Sequence, residues 1–150
     1  MKFSSQEEYG LRFLIRIGKF YHVEKSFTIP EISTAEGVSE HTVAKILRQL
    51  RLGGFLESVR GQQGGYTLTR SPDNIVIADV FDILGGRLFD DEFCGTHGGE
   101  NLICNNTIDC SVRSLWKAIQ DSIDKVSKNL TLKDLLSTED NVYQKTSEFN

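Results

Sequence analysis

The spacing of apolar residues changes several times along the chain, and each change marks a new element. Tyr9, Phe13, Ile17 and Phe20 recur at helical spacing, while Leu11, Leu14 and Ile15 add a second apolar surface. A first helix is predicted from about Gln6 to Tyr21, apolar on more than one side and so in need of two partners. Thr28-Ile-Pro-Glu31 starts a short helix: Thr28 caps it, Pro30 suits the first turn and Glu31 completes a capping box. Gly37 ends it in a tight turn. Ser39 caps a third helix whose stripe is Val43, Ile46, Leu47 and Leu50. Its other face carries Glu40, His41, Thr42, Lys45, Arg48, Gln49 and Arg51, and Gly53-Gly54 stops it.

From Phe55 the pattern changes. Residues 55–59 predict a strand, Gly61-Gln62-Gln63-Gly64-Gly65 a flexible turn and 66–68 a returning strand, with Arg60 at the tip of the hairpin. Ser71-Pro72-Asp73 marks a loop. Ile77, Val80, Phe81 and Leu84 predict a helix stopped by Gly85-Gly86. Residues 87–110 show no sustained period, and irregular stretches of that length are often functional. From Ser111 onward, Val112, Leu115, Trp116, Ile119, Ile123, Val126 and Leu130 alternate by three and four, a heptad-like seam. Residues after Leu136 are polar and expected to fray. The chain thus divides into a helix-and-hairpin unit over 1–86, a cysteine-bearing loop over 87–111, a long helix and the segment after it over 112–136, and a disordered tail over 137–150.

Composition adds exclusions. Hydrophobic content of 39% and charged content of 25% are ordinary for a globular protein. No apolar run reaches the roughly 18 residues of a membrane helix, and the N-terminus lacks the basic start and apolar core of a secretory signal. The expected location is therefore the cytoplasm, with no membrane partner. There is no nucleotide-binding glycine motif, no Cys-x-x-Cys and no triad-like set, so an enzyme is not expected. The net charge of −4 hides a split: residues 1–70 hold ten basic and seven acidic side chains (+3), residues 71–150 seven and fourteen (−7).

The positive half carries the candidate chemistry. A short helix, a glycine turn, an amphipathic helix with a polar outer face and a glycine-rich hairpin together describe a winged helix-turn-helix. The fold class is mainly α with a small β-hairpin wing, a winged helix-turn-helix followed by a long C-terminal helix. A helix fits the major groove of double-stranded DNA, where Thr42, Lys45, Arg48 and Gln49 can address base edges. Arg60 can enter the minor groove, whose negative potential attracts it. Ser39, His41, Gly61 and Tyr66 complete the DNA-facing set. The alternative for the helix alone is a solvated charged face; the hairpin that follows favours DNA.

Ser39 to Leu50, then Gly54-Phe55-Leu56-Glu57-Ser58 and Arg60-Gly61-Gln62-Gln63-Gly64-Gly65-Tyr66-Thr67-Leu68, resemble the signature of the IscR/NsrR/CymR-type family of bacterial winged-helix repressors. The Met1-Lys2-Phe3-Ser4 opening, the 77–84 helix and the helix after the cysteines match the same layout, so the resemblance covers about residues 1–136. It implies a transcription regulator that is a homodimer, its C-terminal helix crossing its mate and packing on the partner's first helix. Two recognition helices would then read a palindromic operator with half-sites about one helical turn apart.

Cys94, Cys104 and Cys110 are the only cysteines and fall within 17 residues. An odd number is a poor disulfide framework, which leaves metal or redox chemistry. The spacing of Cys104 and Cys110 matches the family's cluster-binding pattern, whereas the interval from Cys94 to Cys104 is longer. The resemblance implies an iron–sulfur cluster, either 2Fe–2S or 4Fe–4S, because soft thiolates suit iron. Arg113 stands where some members place a histidine ligand; others use an acidic residue of the first helix, reached from the other subunit, so the resemblance implies Glu8, at the matching position, as the fourth ligand, with His97 in the loop as the alternative. Ser5-x-x-Glu8 also reads as a capping box, and Ser4-x-x-Glu7 offers the same box one residue earlier, which would free Glu8. The alternatives are a cluster-free repressor controlled by a partner protein or by thiol oxidation, and a zinc site of the three cysteines with His97.

Overall fold

The computed structural model describes residues 2–100 and 104–149. Met1 of the opening motif, residues 101–103 of the cysteine-bearing loop and Asn150 of the tail lie outside the described residues. The order of elements is α1 (Ser5–Gly18), α2 (Ile29–Glu36), α3 (Glu40–Leu52), β1 (Leu56–Val59), β2 (Gly65–Leu68), α4 (Ile77–Leu84), α5 (Phe93–Thr96), α6 (Ser111–Ser127), α7 (Leu132–Leu135) and α8 (Glu139–Ser147).

The expected caps form. Ser4 and Glu7 make the box at α1, and Thr28 and Glu31 the one at α2. Gly37 closes α2 in the left-handed conformation, φ +67°, which glycine adopts without a Cβ penalty. Ser39 caps α3 by accepting from the Thr42 N–H. The α3 stripe of Val43, Ile46, Leu47 and Leu50 is buried in one cluster with Phe13, Leu14 and Ile17 of α1, Ile32 of α2 and Val80 of α4. That cluster is the core of a winged helix-turn-helix.

The wing is an antiparallel pair in the register Leu56↔Leu68, Glu57↔Thr67, Ser58↔Tyr66 and Val59↔Gly65. Phe27, just before α2, adds a bridge: its N–H donates to the Tyr66 carbonyl at 3.0 Å and its carbonyl accepts from the Tyr66 N–H at 2.7 Å. Gly65, φ +146°, must be glycine, because a Cβ there would sit 2.6 Å from the Phe27 carbonyl. The hairpin is thereby fixed to the helical body.

Three boundaries differ from the sequence reading. The first helix ends at Gly18, which packs on Leu132 and Leu136; Tyr21–Val23 form a separate 3₁₀ turn closed by Glu24 at φ +51°. The long C-terminal helix stops at Ser127. Beyond it the backbone pairs with the strand-like segment before α4, Ile77 N–H donating to the Leu130 carbonyl (2.9 Å) and Leu132 N–H to the Ile75 carbonyl (2.8 Å). Leu130 therefore leaves the heptad-like seam for the interior, and Leu132 is wholly buried beside α1. Finally, the segment expected to be a disordered tail forms α8, capped by Thr138 and tied down by Lys145 on Asp134 at 2.7 Å. Its few apolar residues gave no periodic signal.

Leu132→Ala should remove about 2–5 kcal/mol of stability, since a cavity opens under α1. Urea unfolding of the variant measures this, and a loss under about 1 kcal/mol would show that residues 130–135 are not part of the core.

Candidate functional site

Two regions carry the candidate chemistry. In the first, one face of α3 and the adjoining wing stand clear of the core. Ser39, His41, Lys45 and Arg48 are exposed, Thr42 is half-buried, and Arg60 and Gly61 are exposed at the hairpin turn. Two candidates depart from this surface. Gln49 is half-buried, and its amide oxygen is enclosed without a hydrogen-bond partner, so that group turns towards the body and away from solvent. The Tyr66 ring is half-buried against the core, a consequence of its backbone bridge to Phe27.

The helix-turn-helix is braced by a tie that the sequence reading missed. Arg12 donates to Glu36 Oε2 at 2.9 Å and to the Glu36 carbonyl at 3.0 Å, and Arg16 donates to Glu36 Oε1. Burial raises the Glu36 pKa, but the bonds from Arg16 and then Arg12 outweigh it and hold the carboxyl below its ordinary value. The only sequence signal was the i, i+4 spacing of Arg12 and Arg16.

The second region surrounds the N-terminus of α6. Cys94 lies in α5, half-buried, and lines a cleft of about 590 Å³ with Arg87, Asp90, Asp91, Arg113 and Lys117. Cys104 and Cys110 are also half-buried free thiols. Cys110 is the cap of α6, its Sγ accepting from the Arg113 N–H at 3.3 Å, while the Arg113 guanidinium donates to the Thr107 carbonyl at 3.0 Å. Among the described residues, no group of three or more His, Cys, Asp or Glu side chains is gathered closely enough to hold a metal ion. His97 is exposed and stacks on Phe93 at 4.0 Å. Glu8 is exposed on the first turn of α1; the capping box uses Glu7, which leaves the Glu8 carboxylate out of the cap.

Over residues 3–138 the chain matches the Rrf2 family, described as an iron-dependent transcriptional regulator. The chain belongs to the Rrf2 family. It is 31% identical over 140 residues to the HTH-type transcriptional regulator CymR of Bacillus subtilis, covering 93% of each chain. It is 33% identical over 136 residues to the HTH-type transcriptional regulator NsrR of Geobacillus kaustophilus, covering 91% of this chain and 90% of that one. The solved structure of T. potens IscR superposes with a TM-score of 0.71 at 28% identity, over 91% of this chain and 86% of the other. The protein is accordingly a DNA-binding transcriptional regulator and not an enzyme. Among the described residues no helix is long and apolar enough to cross a membrane.

In this Rrf2 protein the cysteine segment is joined to α6 by polar contacts absent from the sequence reading. Gln120, 5% exposed, accepts from the Phe89 N–H at 3.1 Å and donates to Asp124 Oδ1 at 2.7 Å. Arg87 and Lys128 both reach Asp124 Oδ2, at 2.7 and 2.8 Å. A glutamine beside the apolar seam looks like any surface residue in sequence, so only the partner Phe89, 31 positions away, reveals its place. Burial raises the Asp124 pKa, but hydrogen bonds from Lys128, Arg87 and Gln120 overcome this and lower it to about 2.

The sign of the resulting pH dependence follows from linkage. Because the folded pKa lies below the ordinary 3.8, Asp124 contributes its full stabilisation above about pH 4 and loses it as pH falls through about 2. Wild type and Asp124→Asn should therefore differ in urea midpoint at neutral pH and converge near pH 2. A difference that persists undiminished in acid would mean that ionisation of Asp124 is not what holds the network.

Proposed function

We propose that the protein is a homodimeric, cytoplasmic repressor that reads a palindromic operator with α3 and the wing, and senses redox, nitric oxide or iron–sulfur status through a cluster held by Cys94, Cys104 and Cys110. The observation that carries this reading is the association of an Rrf2 fold with three free, half-buried cysteines, Cys94, Cys104 and Cys110, in the segment that leads into α6. Glu8 supplies the fourth ligand from the other protomer, with His97 as the competing donor. A donor set of three thiols and one carboxylate fits a cluster chemically, and the weaker oxygen ligand makes such a site labile. When bound, the cluster supplies redox and ligand-exchange chemistry; the chain contributes the thiolates and the loop that brings them together. A difference in cluster affinity between two geometries of the dimer would couple occupancy of the thiolates to DNA binding.

The dimer reading rests on α6. Val112 and Leu115 are each 54% exposed, and Trp116, Ile119 and Ile123 are half-buried on the same seam. A second α6 that crosses this one, together with the partner's first helix, covers them. On DNA, Ser39, His41, Thr42, Lys45 and Arg48 address the major groove, and Arg60 with Gly61 the minor groove. Gln49 and Tyr66 contribute there only if their side chains turn outward.

Anaerobic purification followed by an absorption spectrum and iron and sulfide analysis tests the sensor. Coloured protein with matched iron and sulfide is expected, and Cys104→Ala should abolish the colour while leaving a folded dimer. Colourless protein after reconstitution would instead select a repressor controlled by thiol oxidation, by zinc or by a partner protein. For the DNA contact, Arg60→Ala should weaken binding by about 1–3 kcal/mol to a duplex enriched from a random pool, at fixed salt. Unchanged anisotropy titrations would remove the wing from the interface.

A further inference from the structure

The limb from Leu84 to Phe89 is gripped at both ends. At its start the Leu84 carbonyl accepts from Gln6 Nε2, the Glu7 carboxylate lies over Gly85 where no Cβ intervenes, and Gly10 faces the Leu84 side chain. Its two glycines are not slack, because the Gly85 and Gly86 N–H groups both donate to the Phe81 carbonyl, at 2.9 and 3.0 Å. At its far end Arg87 is bound to Asp124 and the Phe89 N–H to Gln120. Gln120 is buried on a helix that is otherwise largely exposed or half-buried, with its oxygen and its nitrogen both engaged. A buried amide satisfied in this way accepts few other arrangements, since moving either partner leaves a polar group unpaired. Beyond Phe89 an aromatic run, Phe89 tilted against Phe93 at 5.3 Å and Phe93 stacked on His97 at 4.0 Å, passes through the turn that carries Cys94.

We propose that Gln120 and Asp124 are positioning residues that set, from α6 and through the Leu84–Phe89 limb, the places of both Cys94 and the α1 turn bearing Glu8. The roles of Cys94 and Glu8 as ligands rest on the function proposed above. The mechanical content, that two segments distant in sequence respond together, does not require a cluster. In the dimer the consequence is specific. Cys94 belongs to a protomer's own cluster and Glu8 to its partner's, so each limb connects the two sensor sites.

Amide hydrogen exchange on the full-length apoprotein tests the coupling. Gln120→Met should speed exchange about tenfold both in residues 93–97 and at Glu8–Gly10, with the α3 stripe unchanged. Combining Gln120→Glu with Asp124→Asn reverses the polarity of the pair and should restore protection. The carboxylate introduced at position 120 can accept both from the Phe89 N–H and from the amide introduced at position 124. Acceleration confined to 93–97, or none at all, overturns the proposal. Should Gln120→Met loosen the whole domain, Gly85→Ala perturbs the limb from its other end, where the new Cβ displaces Glu7. Faster exchange in 93–97 is then expected, and no change there refutes the link. In protein that takes up iron, Gln120→Met should also lose visible absorption about tenfold faster than wild type. A protein that never takes up iron refutes the cluster reading and leaves the exchange data to decide the coupling.

Discussion

Val43, Ile46, Leu47 and Leu50 lie along one side of α3 and are buried against Phe13, Leu14 and Ile17 of α1. This contact sets the surface proposed to face DNA, because the side of α3 that enters the core cannot also face outward. With the apolar stripe committed to the core, Lys45 and Arg48 are left on the outer face with His41. The wing depends on the same core from the other direction. Phe55, Leu56 and Leu68 are buried in it, and the bridge from Phe27 to Tyr66 holds the hairpin beside the start of α2. Burial energy is thus converted into a fixed angle between a helix and a hairpin, which is what a groove-reading surface requires.

The cysteine segment obeys a different rule. Its described residues between 87 and 110 bury almost nothing; Ile108 is 98% exposed, and α5 has a single turn. Little hydrophobic energy is available to specify one conformation, so polar contacts at its edges do the locating: Phe89 on Gln120 at one end and Cys110 on Arg113 at the other. A segment pinned at its ends and loosely packed between them can change shape without disturbing the core. That separation suits a sensor.

Periodicity made α2, α3, the wing and α4 legible, because each buries one stripe and each carries its own punctuation in Thr28, Gly37, Ser39 or Gly85. The capping alternative at Ser4 was also visible, and the Ser4 box with Glu7 is the one that forms. What could not be read depends on long-range pairing. Leu130 continued the spacing of α6 so well that its departure into the core gave no local sign; the cause is backbone pairing with Ile77, over 50 positions earlier. The ends of the candidate site share this difficulty. Glu36 between two arginines and Gln120 beneath Phe89 are ordinary surface residues until the fold brings their partners in. Gln49 shows the converse, a residue whose position on the polar face was legible while the inward turn of its amide was not.

Charge completes the argument about orientation. The half of the sequence with the recognition helix and wing carries +3, and the half with the cysteine segment and α6 carries −7. An even distribution of the overall −4 would repel a polyanion weakly from every side. The split along the sequence instead leaves the segment with α3 and the wing net positive and places the excess of acid after residue 70. In an encounter with DNA this suppresses approaches led by the acidic half before any specific contact forms. Asp90, Asp91 and Glu92, beside Cys94, add to the acidity of the cysteine segment. Much of the acidity that makes the whole chain look unsuited to nucleic acid therefore lies after residue 70, outside α3 and the wing, the elements proposed to meet the phosphates.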